Sequence, residues 1–137
     1  KKIAKALHQI HYVGALGIEV FQKGSQLFVN ELAPRVHNTG HFSQTALLWD
    51  QFSMHLIAGS EKSLPENELL GKYFVMANLV GKSQKPVALH TPTFSKLHWY
   101  QKVENRKGRK LGHLNLVGHN LDFITKRIRK DQRSFKL

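Results

Sequence analysis

At 137 residues and 41% hydrophobic content, the chain is long enough to bury one core and too short for two ordinary domains, and no apolar run approaches the roughly 20 residues that cross a bilayer. The absence of cysteine excludes a disulfide framework, a thiolate metal site and a thiol nucleophile, and it fits a reducing compartment, so a cytoplasmic setting is expected. Twenty-one Lys and Arg against nine Asp and Glu leave a formal charge of +12, which draws anions such as nucleic acid, an acidic membrane surface or phosphorylated small molecules without choosing among them.

The opening KKIAKALHQIHYVG has no methionine and is too polar and broken for a signal peptide, so it reads as a piece cut from something longer. Ile3, Leu7, Ile10 and Tyr12 predict a helix over residues 1–13, ended by Gly14 and Gly17. The apolar runs ALGIEVF and QLFVNEL, separated by QKGS, predict a β-hairpin. From His41 to Gly59, the spacing of Leu47, Leu48, Gln51, Phe52, His55 and Leu56 predicts one helix, the longest, with Trp49, Phe52 and Leu56 as core rather than a base-stacking platform. SEKSLPENELLG reads as a loop turning at Pro65, KYFVMANLVGK as a buried strand ended by Gly81, and residues 82–95, with Pro86 and Pro92, as connection. Strands KLHWYQKV and KLGHLNLVG bracket the basic ENRKGR, and Leu121, Ile124 and Ile128 place a basic amphipathic helix over 121–133. There is no internal repeat. The sum is an α+β fold with mostly antiparallel strands.

Chemistry concentrates on the hairpin and just behind it. Glu19 sits inside a strand, where an acid is disfavoured, and Glu31 ends the partner strand. An odd-numbered loop centred on Ser25 would make the two carboxylates direct cross-strand neighbours about 5 Å apart; a two-residue turn at Lys23 and Gly24 would put them on opposite faces. Like charges that close repel unless a metal bridges them, so a metal-binding role predicts the odd loop. With Asn30 beside them, paired carboxylates suit Mg²⁺, a hard cation with oxygen ligands. The competing reading pairs Glu19 with a lysine and leaves Glu31 merely ending a strand. Arg35 offers a planar fork for a carboxylate or bicarbonate, His37 and His41 add donors, and Asn38 and Gly40 allow a tight turn.

GIEVF…LFVNELAPRVHNTGHFSQTA, with LLG, VMANLVG and LHWYQK…KGRKLGHLNL following in order, resembles the second half of the ATP-grasp ligases, and among them the 5-(carboxyamino)imidazole ribonucleotide synthase family. The resemblance covers nearly the whole chain. It implies an ATP-grasp carboxyl-terminal lobe with an antiparallel sheet and packed helices over 1–80, then a small β-rich subdomain over 81–137, with the amino-terminal substrate domain and first lobe upstream. It also implies a reaction in which ATP phosphorylates bicarbonate to carboxyphosphate, whose carboxyl group passes to 5-aminoimidazole ribonucleotide in purine biosynthesis. Glu19 and Glu31 would hold Mg²⁺, with Mn²⁺ an alternative, and Asn30 and Glu31 would contact ATP. Arg35 and His37 would receive bicarbonate or carboxyphosphate. Asn38 and Thr39 would orient the ribonucleotide, and Lys102, Arg109 and Lys110 would bind its phosphate. The full enzyme would be a homodimer, and this portion would not turn over alone. The chain departs from the family pattern at Thr39, where the family has serine, and in a longer loop between Lys102 and Gly108 that lacks the usual proline.

Other readings have less behind them. His37 and His41 are four apart, a zinc spacing on a helix, but Pro34 and NTG argue for a loop. A nucleic-acid-binding module would use the charge, the tail KRIRKDQRSFK and Trp99 with Tyr100, yet these follow no recognition pattern and the acid pair would repel a phosphate backbone. Other ATP-grasp carboxylases and ribonucleotide ligases are set aside by HNTGH and GRKLGH.

Overall fold

The computed structural model describes residues 2–85 and 87–137, so Lys1 and Pro86, which belong to the expected first helix and to the expected connection, lie outside the described residues. Helix α1, Lys2–Gln9, closes earlier than the apolar spacing suggests, because the chain turns through Ile10 and His11, the latter at φ +51°. Strands β1, Gly17–Lys23, and β2, Gln26–Ala33, pair antiparallel. A 3₁₀ turn over Asn38–Phe42 leads into the short helix α2, Ser43–Ala46, and then helix α3, Gln51–Gly59.

The single helix expected over 41–59 is therefore two. Leu47 leaves helical geometry to bridge Leu69, and Leu48 N–H donates to the Glu68 carbonyl at 3.1 Å. Asp50 then starts α3 afresh, its carboxylate accepting from Phe52 N–H at 2.9 Å and Ser53 N–H at 2.8 Å. An Asp N-cap of this kind satisfies donors that the first helical turn cannot pair internally. The core expectation for this stretch also fails: Trp49, Phe52 and Leu56 are exposed, Leu56 at 73%. The restart turns a different stripe inward, with Gln51, Met54, His55 and Ala58 less exposed than Phe52 and Leu56.

The described residues fall into two compact units. One comprises the chain up to His41 together with Trp49–Glu66; the other comprises Phe42–Leu48 and Asn67–Leu137. In the second, β3, Tyr73–Val80, β4, Lys96–Trp99, and β5, Lys110–Gly118, form an antiparallel sheet of order β3-β5-β4. Helix α4, Leu121–Ser134, packs on β3 and β5 and is capped by Asn120, whose side chain accepts from Phe123 N–H at 2.9 Å. Its apolar stripe seals a core of Leu79, Leu114, Ile128 and Phe135. Period-2 alternation sends His113 and Asn115 to the opposite side of β5, where both are also buried. His113 stacks on His98 at 4.6 Å and meets the Tyr100 hydroxyl at 2.7 Å through Nδ1; burial raises the Tyr100 pKa. Trp99 packs against the α4 core, so it is no stacking platform for bases.

Asp131 ties this unit's connection to α4. Nearly fully buried, it accepts N–H bonds from Thr93 at 3.1 Å, Phe94 at 2.9 Å and Ser95 at 2.7 Å, and the Ser95 hydroxyl at 2.7 Å. Burial alone would raise its pKa; the four hydrogen bonds outweigh that and hold it below the usual carboxylate range.

Candidate cation and acyl-phosphate site

The hairpin register overturns one expectation and satisfies the geometry behind it. Lys23 pairs with Gln26 across a two-residue turn, Gly24–Ser25, where an odd loop centred on Ser25 was expected. Carried straight down the ladder, that register would set Glu19 opposite Asn30 and turn Glu31 to the other face. A β-bulge intervenes. Val20 pairs with Val29, but Glu19 pairs with Glu31, so Asn30 is the extra residue. A bulge inserts one residue into one strand, which re-aims the side chains beyond it. Asn30 uses its position to donate from Nδ2 to Glu19 Oε2 at 3.3 Å.

A third donor meets the acids. His37 Nε2 lies 3.6 Å from Glu19 Oε1 and 3.8 Å from Glu31 Oε1, and one ligand atom from each of the three residues lies within 4.8 Å of the others. The carboxylates are 38% and 49% exposed, whereas the imidazole is only 12% exposed. Gly17 is what lets the His37 loop come so close, since a Cβ there would lie 2.8 Å from His37 Cβ. On the far side of the ring, Nδ1 meets Thr39 Oγ1 at 2.9 Å, with Thr39 N–H at 3.4 Å. The Thr39 N–H donates to Nδ1, which places the ring proton on Nε2, toward the carboxylates; the hydroxyl could instead accept from Nδ1–H, and the Nε2 lone pair would then face them.

Arg35 donates from Nη1 to the Val36 carbonyl at 2.9 Å and, with Gly14, Gly17, His37, Gly40 and Gln51, lines an open cavity of about 400 Å³. Asn38 opens the 3₁₀ turn. These residues, the acid pair and Asn30 all lie in the first unit. Lys102, Arg109 and Lys110 belong to the second. Lys102 lines an open cavity of about 740 Å³ with Gln84, Trp99, Asn105 and Arg106. Arg109 Nη1 stands 3.6 Å from Glu104 Oε2, and Lys110 begins β5 on the surface.

The sequence reading, which gives His37 to bicarbonate or carboxyphosphate, missed that it faces the acid pair, and it missed Gln51. Gln51 was counted as one position of a helical stripe, but its amide bonds to both backbone groups of His37. The available signal was the Asp50–Gln51 pair: a capping aspartate fixes its successor in the first helical turn, with its side chain near the incoming loop.

The fold and the site define the class. Residues 1–52 match the ATP-grasp domain family and residues 75–127 match the phosphoribosylaminoimidazole carboxylase C-terminal domain family, and the α+β architecture is that of the carboxyl-terminal portion of such ATP-grasp proteins. Within the class, its relatives are N5-carboxyaminoimidazole ribonucleotide synthases. The one from Saccharolobus solfataricus is 40% identical over 130 residues, covering 94% of this chain and 35% of the relative. The crystal structure of the synthetase from Thermotoga maritima superposes with a TM-score of 0.82 at 32% identity, covering 98% of this chain and 41% of that one. The synthetase from Staphylococcus aureus complexed with ADP gives 0.74 at 30% identity, covering 97% and 37%. The chain spans about a third of the length of the curated relatives it matches.

Proposed function

We propose that this chain supplies the cation-binding and acyl-phosphate end of a ligase site that uses ATP and bicarbonate to carboxylate 5-aminoimidazole ribonucleotide, through carboxyphosphate, in purine biosynthesis. The observation that carries the reading is the meeting of Glu19 and Glu31 across the bulge, with Asn30 and His37 against them. Two neighbouring carboxylates repel, and a divalent cation between them reverses the sign of that interaction. Carboxylate oxygens with one imidazole fit Mg²⁺, and Mn²⁺ accepts the nitrogen more readily. When bound, such a cation neutralises phosphate charge during phosphoryl transfer.

The protein's own residues do the rest. Asn30 extends the acid pair toward the nucleotide, and Arg35 presents a planar fork to bicarbonate from the wall of the cavity it shares with His37. His37 joins the two parts of the site, one face of its ring toward the carboxylates and the other held by Thr39. Asn38 and Thr39 orient the ribonucleotide. Lys102, Arg109 and Lys110 form its phosphate subsite, in which a phosphate displaces the exposed Glu104 carboxylate from Arg109. The same reading takes 1–80 as part of the second ATP-grasp lobe, 81–137 as a small carboxyl-terminal subdomain, and the complete ligase as a cytoplasmic homodimer. ADP in the Staphylococcus aureus relative and the names of the curated relatives support it.

The test joins this chain to the amino-terminal two thirds of the Saccharolobus solfataricus relative and measures phosphate release that depends on bicarbonate and aminoimidazole ribonucleotide. Glu31→Gln should lower release at least about a hundredfold, the scale of losing one charge-stabilising group at a reacting centre. Turnover retained in that variant would remove Glu31 from the mechanism.

A further inference from the structure

The side chain that fixes His37 comes from another element. Gln51 Oε1 accepts His37 N–H at 2.9 Å, and Gln51 Nε2 donates to the His37 carbonyl at 3.0 Å. One amide thus pairs with both backbone groups of a single residue, as a neighbouring strand would. Nε2 also lies 2.6 Å from His41 Nδ1. An amide nitrogen only donates, so His41 Nδ1 accepts, and Nε2 spends one hydrogen on each partner. These contacts settle the amide's orientation, since a flipped Gln51 would set donor against donor at His37 N–H and oxygen against oxygen at its carbonyl.

The rest of the local sequence serves this clamp. Asp50 caps α3 through Phe52 N–H and Ser53 N–H, which holds Gln51 at the first helical position. Gly40 leaves space for it, because a Cβ there would run into Gln51 Oε1. The His37 peptide is therefore fixed from α3, while its ring is held between Thr39 and the two carboxylates.

We infer that Gln51 is a positioning residue of the cation site: by gripping both backbone groups of His37 it sets the imidazole over Glu19 and Glu31 before any cation arrives. The inference rests on the reading of these three residues as a cation site. Gln51 acts on the cation's expected ligands through the backbone of one of them, His37, rather than as a ligand itself. Groups that orient a metal's ligands change affinity by about 10- to 100-fold when removed.

The experiment uses the 137-residue chain, with Gln51→Leu removing both polar arms and Gln51→Glu keeping the acceptor but losing the donor. Nuclear Overhauser contacts between the His37 ring protons and the Glu19 and Glu31 methylenes, without metal, report ring placement. Mn²⁺ titration followed by electron paramagnetic resonance, with Glu19→Gln as control, reports affinity. In folded Gln51→Leu the ring contacts should vanish and Mn²⁺ should bind at least about tenfold more weakly, with Gln51→Glu intermediate in both. A purely structural role would lower thermal stability while the folded molecules kept ring and affinity. Unchanged ring contacts, or Mn²⁺ affinity within about twofold of the parent, would overturn the inference. Should Gln51→Leu not fold, Gln51→Glu decides it on the same two readouts. If the parent chain shows no Mn²⁺ binding sensitive to Glu19→Gln, the cation reading falls and the ring contacts alone judge the clamp.

Discussion

In the three-stranded sheet and the helix across it, Leu79, Leu114 and Ile128 are at most 1% exposed, whereas on the hairpin Val20, Phe21, Leu27 and Phe28 remain between 46% and 65% exposed. The sheet has a helix across it and an inward stripe to match; the hairpin has two strands, and two strands alone are marginal in water. Yet the candidate cation site sits on the hairpin. Its carboxylates are set by a bulge, its imidazole by the loop after β2, and that loop by the first turn of α3. In the second unit stability is a matter of burial, and in the first the site is held by a few directed polar contacts. The two properties should therefore separate under mutation.

Leu114→Ala should give the largest effect. It opens a cavity in a sealed core, a change that costs about 2–5 kcal/mol, and denaturant melts followed by the amide signals of β3 to β5 would measure it. Persistence of the ring contacts between His37 and the two glutamates in that variant would sharpen the contrast. Their loss along with the sheet would break it, by making the site a dependent of the second core.

Asp131→Asn comes next, at about 1–3 kcal/mol, because the buried acceptor of four hydrogen bonds loses its charge and turns an NH₂ group toward some of those donors. The pH dependence follows from the lowered native pKa. Stabilisation by Asp131 is fully present above the unfolded carboxylate's range, near pH ~4, and is lost as pH falls from there through the native value. The asparagine variant should lack that part of the acid limb, so its melting temperature between about pH 4 and 2 should fall less steeply than the parent's. Parallel limbs would mean that the four bonds do not favour the charged form.

Asp50→Ala should cost less, about 1 kcal/mol for a lost cap. It also probes the line between the two kinds of effect. If Asp50 acts only as a cap, fraying should stay within α3; if it also seats Gln51, faster hydrogen exchange should appear at the His37 amide, whose acceptor is Gln51 Oε1.

How much of this could be read beforehand follows the same division. The α+β class, the β3, β5 and α4 segments and the α4 stripe were legible, because apolar periodicity reports burial and burial made them. The proximity of Glu19 and Glu31 was legible only on the condition that a metal bridges them, because two acids that close otherwise repel. Its mechanism was not, since period-2 counting has no symbol for a bulge at Asn30. The break at Leu47 was hidden because Leu47 and Leu48 suit a helix locally and leave it only to pair with a distant segment, Glu68–Leu70. Gln51 was invisible as a clamp for a related reason: its partners lie 10 and 14 residues back, across a turn whose shape no local propensity specifies.

Glu31→Gln should perturb stability least and chemistry most. The side chain is half exposed, and replacing it removes like-charge repulsion with Glu19 along with the contact to His37, so the net change should stay within about 0.5 kcal/mol of the parent. Mn²⁺ affinity should meanwhile fall by more than about tenfold, because one of only two carboxylates in the donor set becomes a neutral amide. A melt with unchanged midpoint beside a lost Mn²⁺ signal is the outcome that follows from a site held by direction rather than by burial. A variant that instead unfolded would mean that Glu31 is held in place by packing, and the hairpin would then belong with the sheet on the side of burial.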